Sequence, residues 1–184
     1  MNTPAHLILG AAAFARVSPR ASLSAALTGS LAPDLSLYLL SGWHLLILGT
    51  PAATVFGQLY YSDSWQTIFA LDNSFLVWGA LLALAMRRDW IWLRIFSAAA
   101  LLHLALDFPL HAGDGRAHFW PLSTWVFDSP LSYWDGRHFG WLIGPIELAL
   151  CAGALILIWR RFQRTTTRSI FVLLFAAELA SSAV

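Results

Sequence analysis

Residues 101–123 read LLHLALDFPLHAGDGRAHFWPLS. An apolar run carries His103, Asp107 and His111 at four-residue steps and then breaks into a loop rich in glycine and aromatic residues. Four-residue steps place side chains one above another on a helix face. Pro109 has no N–H to donate to the carbonyl of Ala105, so the helix is expected to end near it, leaving His111 free to curl back. The run itself, Trp90 to Phe108, approaches the ~20 apolar residues that a membrane span needs. The fold therefore turns on why a span would end in two imidazoles and a carboxylate.

Working outward, the rest of the chain supports the span. Of 184 residues, 58% are hydrophobic and 11% charged, and ten are tryptophan. One soluble domain of this length could not hide so much apolar surface. The expected class is all-α, a polytopic membrane helical bundle forming a single domain over residues 1–184. Apolar stretches run from Pro4 to Val17, Ala21 to Gly42, Gln66 to Met86, Trp90 to Phe108, Phe139 to Trp159, and Ser169 to the end. They predict about five to six membrane segments, the first and last being short for a full crossing. Residues 43–64 read as an interfacial or re-entrant segment, and residues 109–138 as one long outer loop. The first stretch lacks the basic leader of a cleavable signal peptide. Cys151, alone in an apolar run, reads as a small lipid- or helix-facing residue without a disulfide partner.

All eleven basic residues are arginine, and nine fall on alternate connections. Arg16 and Arg20 follow the first stretch; Arg87, Arg88 and Arg94 surround the third-to-fourth turn; Arg160, Arg161, Arg164 and Arg168 follow the fifth. The positive-inside rule puts these connections in the cytoplasm and the 43–64 and 109–138 segments outside. Trp120, Trp125, Tyr133, Trp134 and Trp141 suit an outer aromatic belt, and His44 and His138 an interface.

Helical rise then gives depth. At ~1.5 Å per residue, Asp34 lies ~21 Å beyond Arg20, Asp72 ~22 Å before Arg87, His103 ~22 Å beyond Arg88 and Glu147 ~20 Å before Arg160. Asp107 is one turn further out, and His6 sits toward the outer end of the first stretch. Carboxylates at a level without basic residues must pair, protonate or bind a cation. A divalent ion held by His6, Asp34, His103 and Asp107 resolves that economically. Imidazole and carboxylate without thiolate suit zinc, with manganese or iron allowed. The bland alternative is that each polar group merely bonds a neighbouring helix.

The stretches NTPAHLILG, LTGSLAPDLS, LDNSFL, HLALDFPLHAGDGRAHFWPLS and SPLSYWDGRHFG together resemble bacterial inner-membrane proteins described as membrane-bound metal-dependent hydrolases, some labelled as cobalamin-biosynthesis proteins. The resemblance covers most of residues 2–141. It implies that His6, the Pro33–Asp34 pair, His103 and Asp107 carry over as site positions. Two motifs depart. The family's P-D-x-D is PDLS here, with Ser36 in place of the second acid. Its H-R-G-x-T-H-S is replaced by LDNSFL, so two histidines are missing.

The resulting expectation is a metal-dependent hydrolase at the outer face of a bacterial inner membrane, acting on a lipid or lipid-linked phosphoester. A divalent ion supplies an acidified water. Asp72 or Glu147 is expected to take its proton, and His111, Arg116 and His118 to steady anionic groups. Membrane lipids are the expected surroundings, with no nucleic-acid partner. The alternatives are a non-enzymatic metal-binding protein or a structural membrane partner.

Overall fold

The computed structural model describes residues 1–18 and 21–182; Arg20 lies outside the described residues. Those residues form helices and connections without strands. The helices are α1 (Thr3–Phe14), α2 (Ala21–Leu31), α3 (Leu35–Gly42), α4 (Ala52–Thr54), α5 (Asp63–Asp72), α6 (Phe75–Arg87), α7 (Ile91–Asp107), α8 (Gly140–Arg161) and α9 (Thr165–Ser181). Tighter or wider turns join some of them, so Ala21–Ile47 is one helical rod. Among the described residues, three helices are long and apolar enough to cross a membrane: Ala21–Ile47, Asp63–Arg87 and Gly140–Arg161.

The segment expected to begin at Trp43 differs at its start. Trp43–Ile47 continues the α2–α3 rod as a π-turn, and the chain first turns at residues 48–51. Residues 43–48 carry no proline or glycine to break the helix, and the first break comes at Gly49, whose φ of 64° suits glycine. The chain returns through α4 and a second π-turn, Val55–Leu59, into α5. Val55, Trp65 and Phe69 form the core of this hairpin against Leu37, Leu40 and Leu45.

The main core surrounds α1. Its Ala5, Ile8 and Ala11 pack with Ala26 of α2, Cys151, Ala154 and Ile158 of α8, and Phe171 of α9. Small residues let helices approach closely where lipid offers no hydrophobic driving force. Gly29 of α2 meets α7 so tightly that a Cβ there would stand 2.2 Å from the carbonyl oxygen of Phe96. Outside, large apolar side chains such as Leu46, Leu157 and Leu173 are exposed, the surface a lipid-facing bundle presents.

The helix directions collect the chemistry at one end. The start of α1, the α2–α3 junction, the end of α7 and the outer loop meet there. The ends of α1 and α8 meet at the other, arginine-bearing end, where Arg161 donates to the carbonyl oxygens of Ala12 and Ala15.

Candidate metal centre

Two helix discontinuities frame the site. At Ala32–Asp34 the rod tightens into a 3-10 turn because Pro33 cannot donate to the preceding turn. Between α5 and α6, Asn73 and Ser74 leave helical geometry. Ser74 caps α6 by accepting from the N–H groups of Leu76 and Val77. The Asn73 side chain donates to the Pro33 carbonyl at 3.1 Å, locking one break to the other. The outer loop closes over both: His118 Nδ1 donates to the Asn73 carbonyl at 2.8 Å, and Ser74 Oγ to that of Trp120. LDNSFL, where the resembled family has histidines, is thus a structural clasp for the loop.

Against this frame, α1, the 3-10 turn after α2, and α7 bring together His6, Asp34, His103 and Asp107. His6 and His103 are each 1% exposed and Asp107 7%. One donor atom from each of these three lies within 4.8 Å of the other two, a group that could hold a metal ion. His6 Nε2 lies 2.9 Å from Asp107 Oδ1. His103 Nε2 lies 3.4 Å from Asp107 Oδ2 and 3.6 Å from Asp34 Oδ1. The terminal amine of Met1 also contacts Asp107, and Thr3 Oγ1 donates to Asp34 Oδ2 at 2.6 Å.

The ring orientation of His103 is informative. Its Nδ1 faces the carbonyl oxygen of Ser30 at 2.7 Å, an atom that only accepts, so Nδ1 carries the proton. In the neutral ring Nε2 is then a lone pair aimed at two carboxylates. It has no hydrogen-bond partner, nor does the buried Nδ1 of His6. Acceptors facing one another in a dry interior need a proton or a metal cation between them. The 3.4 and 3.6 Å separations exceed an N–H···O bond but approach the ~3.4 Å edge between donors around a tetrahedral ion with ~2.1 Å bonds. The donor set therefore fits a divalent cation.

A cavity of about 150 Å³ adjoins the group, lined by Asp34, Asp107, His111, Asp114, Arg116 and Tyr133 among others. His111 curls back beyond α7: its Nε2 lies 3.3 Å from Asp107 Oδ2 and its Nδ1 3.1 Å from Asp114 Oδ1. Burial opposes charging His111, but the two carboxylates outweigh it and raise its pKa. Burial likewise opposes ionising Asp114, and contact with His111 and Trp134 holds its pKa below the usual value. Arg116 is 8% exposed, its guanidinium carbon 4.6 Å from the Tyr60 ring centroid and 4.5 Å from that of Phe69. Among the described residues no carboxylate lies within ion-pair distance of it.

The other two expected acid–base residues lie elsewhere. Asp72 does not line the cavity, and one of its carboxylate oxygens is buried without a partner. Glu147 accepts from the Asn2 backbone N–H at 2.7 Å. Its neighbour is Glu178, which accepts from the Asn2 side chain at 3.1 Å. Residue spacing alone does not single out Glu178, Thr3, Asp114 or the Ser30 carbonyl. Only the i, i+3 placement of Asp114 from His111 could have signalled one of them. Comparison with family models, with curated proteins and with solved structures found no match.

Proposed function

We propose that this chain is a metal-dependent hydrolase embedded in a bacterial inner membrane, its site toward the periplasmic side, acting on a lipid or lipid-linked phosphoester. In this reading the bundle has five to six membrane segments, and the arginine-bearing connections face the cytoplasm. The supporting observation is the lone pair of His103 Nε2 opposite Asp34 and Asp107, with His6 beside them. These four residues would hold a divalent ion, zinc being the best match to an imidazole and carboxylate set, with manganese or iron allowed.

Such an ion supplies Lewis acidity, which makes water a nucleophile near neutral pH. The remaining work falls to the chain. His111, whose protonated form Asp107 and Asp114 favour, would give its proton to the leaving oxygen and regain one from the attacking water. Its place on the cavity wall favours it over Asp72 and Glu147, which do not line the cavity. Arg116, held by aromatic faces instead of a carboxylate, keeps donors for a phosphoryl oxygen. Tyr38 and Tyr133 narrow the cavity around the reacting group.

The test is purification, elemental analysis, and assay of lipid phosphoesters in detergent micelles before and after EDTA. About one divalent ion per chain is expected, with hydrolysis lost on chelation and restored by zinc or manganese. Stoichiometric ion without hydrolysis of any phosphoester would instead assign a non-enzymatic metal-binding protein. A metal-free chain whose stability is unchanged by His103→Ala with Asp107→Ala would assign a structural membrane partner.

A further inference from the structure

At the end of the molecule opposite the candidate centre, a separate cavity of about 400 Å³ opens between the α1–α2 and α8–α9 connections. Its walls include Arg16, Arg161, Arg164, Leu23, Phe162 and Thr167. His6 lies near the start of α1 and Arg16 two residues beyond its end, and eight residues from His6 to Phe14 already span ~12 Å at helical rise. The cavity thus shares no wall with the metal centre.

Three guanidinium groups converge here, and none forms an ion pair among the described residues. Arg16 and Arg161 each spend Nη1 on the last carbonyls of α1: Arg16 on Ala13 and Ala15, Arg161 on Ala12 and Ala15. Among the described residues their other side-chain nitrogens have no hydrogen-bond acceptor. Arg164 is exposed and stands at the N-cap of α9, where no side chain caps the first turn and no acidic residue follows. The free N–H groups of that turn add positive potential at the same place. Thr167 is only 8% exposed, lines the cavity, and its hydroxyl makes no hydrogen bond among the described residues. A hydroxyl open to the cavity on an otherwise buried residue, three arginines on the wall and a free helix start together suit one anionic oxygen-rich ligand.

Leu23 and Phe162 make the remaining wall apolar. A free phosphate gains nothing from such a wall, whereas a lipid lays its glycerol and upper acyl carbons on it. We propose that this cavity holds the head group of an anionic phospholipid from the leaflet at the arginine-bearing end. The site is independent of the hydrolase reading, because none of its groups touches the metal centre.

The experiment reconstitutes the full chain in detergent with dioleoylphosphatidylglycerol or dioleoylphosphatidylcholine and counts retained lipid by native mass spectrometry, with inorganic phosphate as competitor. Preferential retention of the anionic phosphatidylglycerol is expected, unaffected by phosphate. Arg164→Gln should weaken that preference about fivefold, the worth of one cationic contact with an anionic lipid. Thr167→Val should weaken it too, with thermal midpoint and elution volume unchanged in both variants. Arg16 and Arg161 are left intact because they also cap α1. Equal retention of the two lipids, indifference to both substitutions, or displacement by inorganic phosphate would overturn the proposal.

Discussion

The imidazole rings of His6 and His103 lie stacked, their centroids 3.6 Å apart and their planes 11° from parallel. Two imidazolium ions could not share that spacing in a dry interior without strong repulsion. Neutral rings can, and neutral rings are what a metal ion requires. His103→Ala removes one donor and the stacking partner of the other. Divalent-ion affinity should fall by at least about 100-fold, more than loss of an outer-shell partner typically costs. Isothermal titration of metal-stripped protein with zinc checks this, and an unchanged affinity would remove His103 from the centre.

Close packing of α2 on α7 positions the Ser30 carbonyl and, beyond it, Asp34. Gly29→Ala would place a methyl group against the Phe96 carbonyl, at a distance that backbone cannot accommodate without shifting. Overpacking of this kind costs about 1–3 kcal/mol. The thermal midpoint should drop and metal affinity weaken, although Gly29 touches no donor. Gly79→Ala is the control, since a Cβ there meets open space.

Arg116→Gln should leave metal content intact while lowering kcat/KM on a phosphoester by about 10²–10³, the usual range for removing one oxyanion donor. Arg116→Lys should recover little, because a point charge lacks the planar fork that lies over Tyr60 and Phe69. Equal activity of the three proteins would assign Arg116 to loop packing alone.

The loop clasp carries a pH signature. Burial holds the His118 pKa below its ordinary 6.5, helped by His111 and Arg116 and opposed by the Asn73 carbonyl and Asp107. Above ~6.5 both folded and unfolded states carry a neutral ring, and the clasp contributes fully. As pH falls below that value the unfolded state gains the proton first, so loop docking weakens until the folded-state pKa is passed. Amide exchange across residues 116–123 should therefore quicken between pH 7 and pH 5, and His118→Gln should flatten the dependence. Exchange that is independent of pH after correction for the intrinsic rate would show that His118 is not the sensor.

Much of this arrangement could be read from residue spacing. The i, i+4 step from His103 to Asp107 and the stop at Pro109 placed two donors at the end of α7. Depth counting from the arginines puts Asp34, Asp72, His103 and Glu147 near one level, with His6 toward the same end. Depth alone says nothing about rotation around the bundle, which is why Glu147 shares the outer half yet faces Glu178. The Ser30 carbonyl escaped notice because every residue carries one, and its role depends on how closely Gly29 lets two helices approach. Arg116 could not be assigned its stack on Tyr60 and Phe69, since those rings belong to a hairpin some fifty residues earlier in the chain.

The shortness of α1 has a bearing on biogenesis. Twelve residues make a rod of ~18 Å, well under the ~30 Å of a hydrocarbon layer. This rod is enclosed by α2, α7, α8 and α9 instead of facing lipid. Such a piece cannot be threaded through the bilayer as an autonomous unit; it gains its place by docking into a groove its neighbours have already built. The imidazole it carries would then be the last to reach the centre, making ion capture a marker of finished assembly.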